Sequence, residues 1–134
     1  QLFKMPYFNH DSINFYYESR GTGTPLFFLH GLGGDIEQPF ETLHGLQGFQ
    51  INTMEFRGHG NTNFDGDVSK LNFDTFTNDF NAFLDHLGLE KIILGGISMG
   101  SGISLNFAIK YPERVQQLIL LRPAWLNKPL PAYS

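Results

Sequence analysis

The chain has 134 residues, 41% of them hydrophobic, and its 9 Lys and Arg stand against 13 Asp and Glu for a formal charge of −4. That profile describes one compact domain able to bury a core, with no broad attraction to phosphate, so nucleic acid is not an expected partner. There is no cysteine, hence no disulfide or thiolate chemistry, and neither a basic-then-apolar amino end nor a bilayer-length apolar run occurs; we expect no membrane association and a cytoplasmic setting.

Residues 7–20 carry Ile13-Asn14-Phe15-Tyr16-Tyr17 behind Asn9-His10-Asp11-Ser12, the pattern of a short hairpin. After Gly21-Thr22-Gly23-Thr24-Pro25, the unbroken run Leu26-Phe27-Phe28-Leu29 suits a strand buried on both faces of a parallel sheet. A glycine-rich loop follows, then a helix over 37–46 and a strand over 49–56 that ends at Arg57-Gly58-His59-Gly60. Between residues 72 and 88, Phe73, Phe76, Phe80, Phe83, Leu84 and Leu87 recur at three- and four-residue steps. This is the apolar face of a helix, capped by Asn72 and stopped by Gly88, and at such spacing the phenylalanines are core rather than a ligand box. A strand over 91–94, a helix over 98–111 broken by Pro112 and an apolar strand over 115–121 complete the pattern. Strands alternating with helices predict an α/β fold, a mostly parallel sheet of about six strands with flanking helices. Residues 1–122 form this core, and 123–134, with Pro123, Pro129 and Pro131, read as an irregular tail leaving the sheet.

Two stretches carry chemistry. Gly96-Ile97-Ser98-Met99-Gly100 fits G-x-S-x-G where a strand turns into a helix. A serine at such a turn takes a strained backbone with its hydroxyl exposed, and side chains two residues to either side would collide, which calls for glycine at 96 and 100. The helix start adds free N–H groups and a positive dipole end. The plainer alternative is a small-residue turn in which Ser98 only caps the helix. A dinucleotide loop fails on glycine spacing. The second stretch, His30-Gly31-Leu32-Gly33-Gly34, directly follows a buried strand, where Leu32 could supply one N–H and Met99 another to a developing oxyanion. By itself it is also an ordinary β-to-α loop.

Taken together these residues resemble the α/β-hydrolase superfamily. His30 to Gly34 looks like its oxyanion loop, Phe56-Arg57-Gly58-His59-Gly60-Asn61-Thr62 like its R-G-x-G-x-S turn, and Gly96 to Gly100 like its nucleophile elbow. Tyr111-Pro112-Glu113-Arg114-Val115 is similar to the segment that ends the elbow helix, while Glu55 stands where aspartate is frequent and Thr62 where serine is usual. The resemblance implies a serine hydrolase acting on a small-molecule ester, amide or lactone through an acyl-enzyme. Ser98 would attack, the Leu32 and Met99 N–H groups would hold the oxyanion, Gly31, Gly96 and Gly100 would shape the supporting turns, and no cofactor or metal would be needed.

In that family the acid and then the histidine follow the serine. Here only Glu113 follows as an acid, and His10, His30, His44, His59 and His86 all lie upstream. By the resemblance His30 and His59 belong to loops near the site, where either could touch substrate but structural roles are expected; His86, beside Asp85 on the long helix, and His44 are expected at the surface, and no histidine pair has a metal-ligand context. The expectation is therefore an amino-terminal portion lacking the lid and the C-terminal strands, with acid and base elsewhere and little turnover of its own. Its strand at 117–121 would be an exposed edge, inviting self-association or a second chain. Two other readings stay open: a non-catalytic binding or interaction module on the same scaffold, and a changed reaction such as a lyase or cofactor-free peroxidase.

Overall fold

The computed structural model describes residues 6–123. The hairpin consists of β1 (Tyr7–His10) and β2 (Ile13–Arg20), antiparallel, joined at Asp11 and Ser12 with φ of 53° and 64°. Two consecutive positive-φ residues match the right-handed twist of the flanking strands. There follow β3 (Thr24–Leu29), α1 (Glu37–Thr42), β4 (Phe49–Met54), α2 (Phe73–Leu87), β5 (Ile92–Ile97), α3 (Met99–Lys110) and β6 (Val115–Leu121). The six strands form one sheet in the order β1-β2-β4-β3-β5-β6, with β4, β3, β5 and β6 mutually parallel and the hairpin antiparallel at one end.

β3 lies inside this sheet, and its alternating side chains explain its unbroken apolar sequence. Phe27 and Leu29 join Met54, Leu94, Phe80, Phe83 and Phe107 in the larger core under α2 and α3. Leu26 and Phe28 point the other way, to Ile51 and the partly buried Phe40 and Leu43 near α1. The phenylalanines of α2 are core, as the periodicity predicts: Phe76, Phe80 and Phe83 are buried. Asn72 Oδ1 accepts from the Thr75 N–H at 2.8 Å, and Gly88 closes the helix at φ 72°.

Several boundaries move, each for a local reason. The first helix ends at Thr42 rather than 46, because the chain turns there: His44 N–H donates to Glu41 O and Gly45 takes φ 86°. The fourth strand stops at Met54 rather than 56, since the Phe56 N–H is taken by the His30 ring at 3.0 Å. The fifth runs past Leu94 to Ile97 by pairing Gly95, Gly96 and Ile97 with β6. A Cβ on Gly95 would lie 2.6 Å from Ile119 O, so glycine lets the two strands meet there. A 3-10 turn at Val68–Lys70, capped by Asp67, has no counterpart in the sequence pattern. The tail expected over 123–134 lies, beyond Pro123, outside the described residues.

One buried ion cluster ties the loop after β4 to two other elements. Arg57 Nε and Nη2 donate to Asp79 of α2 at 2.8 and 2.9 Å, and Nη2 also reaches Asp11 of the hairpin turn at 2.8 Å. Both Arg57 and Asp79 are shut off from solvent. Truncating one partner strands the other charge in the interior. We expect Asp79→Ala to lower unfolding free energy by about 3 kcal/mol or more in a denaturant titration, whereas a change below about 1 kcal/mol would show the pair to be ornamental.

Candidate active site

The junction of β5 and α3 holds Ser98 at φ 57° and ψ −119°, a backbone state that L residues avoid and that costs roughly 1–3 kcal/mol. Its surroundings explain how that state is kept. The chain folds back so closely that a Cβ on Gly96 would collide with the Gly100 carbonyl and sit 2.8 Å from Ser101 N. A Cβ on Gly100 would strike the Leu29 carbonyl and come within 2.8 Å of His30 O. The Ser98 N–H donates to Leu121 O at 3.0 Å, and Ser98 O accepts from the Ser101 and Gly102 N–H groups at 2.9 and 3.2 Å. The buried Ser101 hydroxyl lies 2.7 Å from both Gly96 O and Leu121 O, fastening the turn to the end of β6. Ser98 caps α3 through its backbone, with no side-chain cap bond, so its hydroxyl is not consumed by the helix.

Across from this turn, the loop leaving β3 approaches to contact. A Cβ on Gly31 would be 3.2 Å from both Ile97 O and the Ser98 Cβ. Gln38 of α1 fixes the loop by accepting the Gly31 N–H at 2.6 Å, and its amide occupies the space a side chain on Gly34 would need. Leu32, Gly33 and Gly34 then face Ser98, Met99 and His59 across one open cleft of about 1310 Å³. Met99 is the first residue of α3, so its N–H has no acceptor within the helix. The structure thus brings Ser98, Leu32 and Met99 to the same cleft, with Gly31, Gly96 and Gly100 at the points of closest approach.

Buried polar groups hold the neighbouring loops. Glu55, buried, accepts the Ile36 N–H at 2.8 Å and the Asn61 N–H at 2.6 Å, linking the β3 and β4 loops through one carboxylate. Thr62 donates to Glu55 O at 2.9 Å and accepts the Tyr16 N–H at 3.0 Å, so both departures from the family pattern have structural work. His30 is wholly buried and both ring nitrogens are engaged. Nε2 accepts the Phe56 N–H at 3.0 Å, so the proton is on Nδ1, which donates to Gly31 O at 2.7 Å. His59 Nδ1 pairs with Arg57 O at 2.9 Å. His10 sits 3.5 Å from Asp79, while His44 and His86 are exposed. Glu113 is exposed in a 3-10 turn beyond the far end of α3, about 18 Å along the helix from Ser98. Among the described residues no group of three or more His, Asp and Glu side chains could hold a metal, and no helix is long and apolar enough to cross a membrane.

The family model described as alpha/beta hydrolase fold matches residues 24–133. A putative non-heme chloroperoxidase of Synechocystis is 33% identical over 127 residues, which are 89% of this chain and 45% of that one. An sn-1-specific diacylglycerol lipase of Danio rerio is 31% identical over 78% of this chain and 33% of its own. Among solved structures, a carboxylesterase of the thaumarchaeon Nitrososphaera gargenis superposes with a TM-score of 0.75 at 28% identity, covering 89% of this chain and 46% of that one. An epoxide hydrolase of Bacillus megaterium gives 0.78 at 26% identity, covering 87% and 42%. The chain therefore spans less than half the length of these relatives.

Burial pulls the His30 pKa down from 6.5 to about 4, so the folded protein keeps the ring neutral. The unfolded chain protonates it near 6.5; this contribution is whole above that pH and is lost as pH falls towards 4. We expect His30→Gln to weaken the fold at pH 7 and to lose about 3 kcal/mol less than the parent between pH 7 and 4 in denaturant titrations. Parallel losses in parent and variant would contradict this.

Proposed function

The chain belongs to the alpha/beta hydrolase family, and from that premise we propose that the protein containing it is a serine hydrolase acting on the carbonyl of a small-molecule ester, amide or lactone. The observation that carries this reading is the strained Ser98, held at φ 57° between two glycines at the edge of a cleft that Leu32 and Met99 also line. In this reading Ser98 Oγ bonds to the carbonyl carbon while its proton passes to a base. The carbonyl oxygen takes the negative charge and is held by the Leu32 and Met99 N–H groups. Collapse expels the alcohol or amine with that proton and leaves an acyl-serine, which water then cleaves.

The base and its acid come, on this proposal, from outside these 134 residues. His30 is occupied at both nitrogens and stays neutral down to about pH 4, Glu113 is remote, and no histidine follows Ser98. A serine without a base remains a neutral alcohol, so we propose that the 134 residues alone turn over little substrate. β6, flanked among the described residues only by β5, is the edge at which a further strand, of the same or a second chain, would add. A second reading draws on the chloroperoxidase relative: the same serine could form a peroxy acid if peroxide replaced water at the acyl-serine. Product analysis with and without peroxide separates the two.

The test is a serine-directed fluorophosphonate probe on the native-length protein. Labelling that disappears in Ser98→Ala supports the assignment, with ester turnover falling by a factor of about 10⁴ or more; undiminished labelling in the variant removes it.

A further inference from the structure

The cleft continues well beyond the serine, and its composition changes as it does. Along α3 its floor is made by Ser98, Gly102, Leu105 and Ile109, a stripe at four-, three- and four-residue steps that extends about 16 Å from the hydroxyl. The opposite wall comes from Phe64, Leu71 and Phe73, ahead of and at the start of α2. Ile103 and Phe107 point from α3 into the core, so the stripe is the outer face of that helix and is not needed for sheet packing.

Two observations give this groove a ligand chemistry. Among the described residues six large hydrophobic side chains are exposed, and three of them line this cleft: Leu32 at 79%, Ile109 at 71% and Leu71 at 44%. Concentrated exposure of that kind marks a surface that binds something, and its continuity with Ser98 in one cleft ties this one to the reacting carbonyl. Charged side chains are few in the lining. Arg57 is the one Lys or Arg among the lining residues; its Nε and Nη2 are committed to Asp79 and Asp11, and its buried Nη1 has no hydrogen-bond partner among the described residues. Asp74 is the one carboxylate there, bonded to Asn106.

We propose that this groove receives the apolar tail of an uncharged, medium- to long-chain acyl substrate whose carbonyl lies at Ser98 and whose tail runs over Gly102 and Leu105 towards Ile109 and Leu71. This rests on Ser98 being the nucleophile. An extended dodecanoyl chain is of the order of the distance available, whereas a butanoyl chain ends near Gly102 and leaves the far apolar residues uncovered.

The experiment compares kcat/KM for p-nitrophenyl butyrate and p-nitrophenyl laurate on the native-length protein, its Ile109→Asp and Leu71→Asp variants, and Val68→Asp as a control. Val68 is also exposed and apolar but does not line the groove. The laurate-to-butyrate ratio is taken within one protein, so it reads the groove independently of any loss of folded enzyme, which circular dichroism and thermal midpoints record for each variant. The parent should prefer laurate, and each groove variant should lower the laurate-to-butyrate ratio by about tenfold or more, since several methylenes then pass a charge. Val68→Asp should leave the ratio as it is. If esters are cleaved through Ser98 but the ratio is unmoved in both groove variants, or the parent prefers butyrate, the groove assignment is overturned and the nucleophile stands. If Ser98→Ala cleaves esters as fast as the parent, the nucleophile reading itself has failed and takes this inference with it.

Discussion

Main chain crossing main chain at Gly96 and Gly100 is the constraint on which the rest of the molecule depends. At these two positions the carbonyls of Gly100 and Leu29 occupy the places where Cβ atoms would be. The approach lets α3 begin directly on the end of β5, and that geometry forces the intervening Ser98 into positive φ. A strained residue persists only where its surroundings over-determine it. Here they do so through the Ser98 N–H to Leu121 O bond, the Ser101 hydroxyl beside two carbonyls, and the pairing of β5 with β6.

The loops around the turn are held by a different means. Ile36 and Phe56 anchor them to the apolar interior, and the rest of their order comes from single buried polar groups that each join two segments. Glu55 joins the β3 and β4 loops, Gln38 holds Gly31, His30 links Phe56 to Gly31, and Arg57 binds α2 and the hairpin turn. Each such group is costly to bury unpaired, so the networks fix the loops in one arrangement. The dry phenylalanine core beneath them carries the sheet.

The elements were legible wherever periodicity or punctuation was strong. The α2 stripe between Asn72 and Gly88 and the continuous run of β3 depend on local sequence alone, and both lie where the pattern puts them. The glycines at 96 and 100 could be read because the steric reason for them is also local. What failed to show in the sequence depends on partners far along the chain. The early end of β4 follows from a histidine 26 residues upstream, and the extension of β5 through two glycines follows from pairing with β6. Gln38 and Ser101 carry no motif in this chain, and Glu55 stands out only as a departure from the family turn. Their importance comes from which N–H or carbonyl lies opposite once the fold has formed. The apolar groove along α3 is hidden for a similar reason, since the stripe of Gly102, Leu105 and Ile109 becomes a groove only through Phe64, Leu71 and Phe73 from another helix and loop.

The relatives bear names from several chemistries, including a chloroperoxidase, a lipase and an epoxide hydrolase, so membership of the family fixes the scaffold and leaves the reaction to the site. The claim at the centre of this account is that Ser98 faces two amide hydrogens across the cleft. A crystal structure of the native-length protein after reaction with an alkyl phosphonate tests it most directly. The account predicts a covalent bond from Ser98 Oγ to phosphorus, with the phosphoryl oxygen within hydrogen-bond distance of the Leu32 and Met99 N–H groups. An adduct on another residue, or a phosphoryl oxygen turned away from both amides, would contradict it.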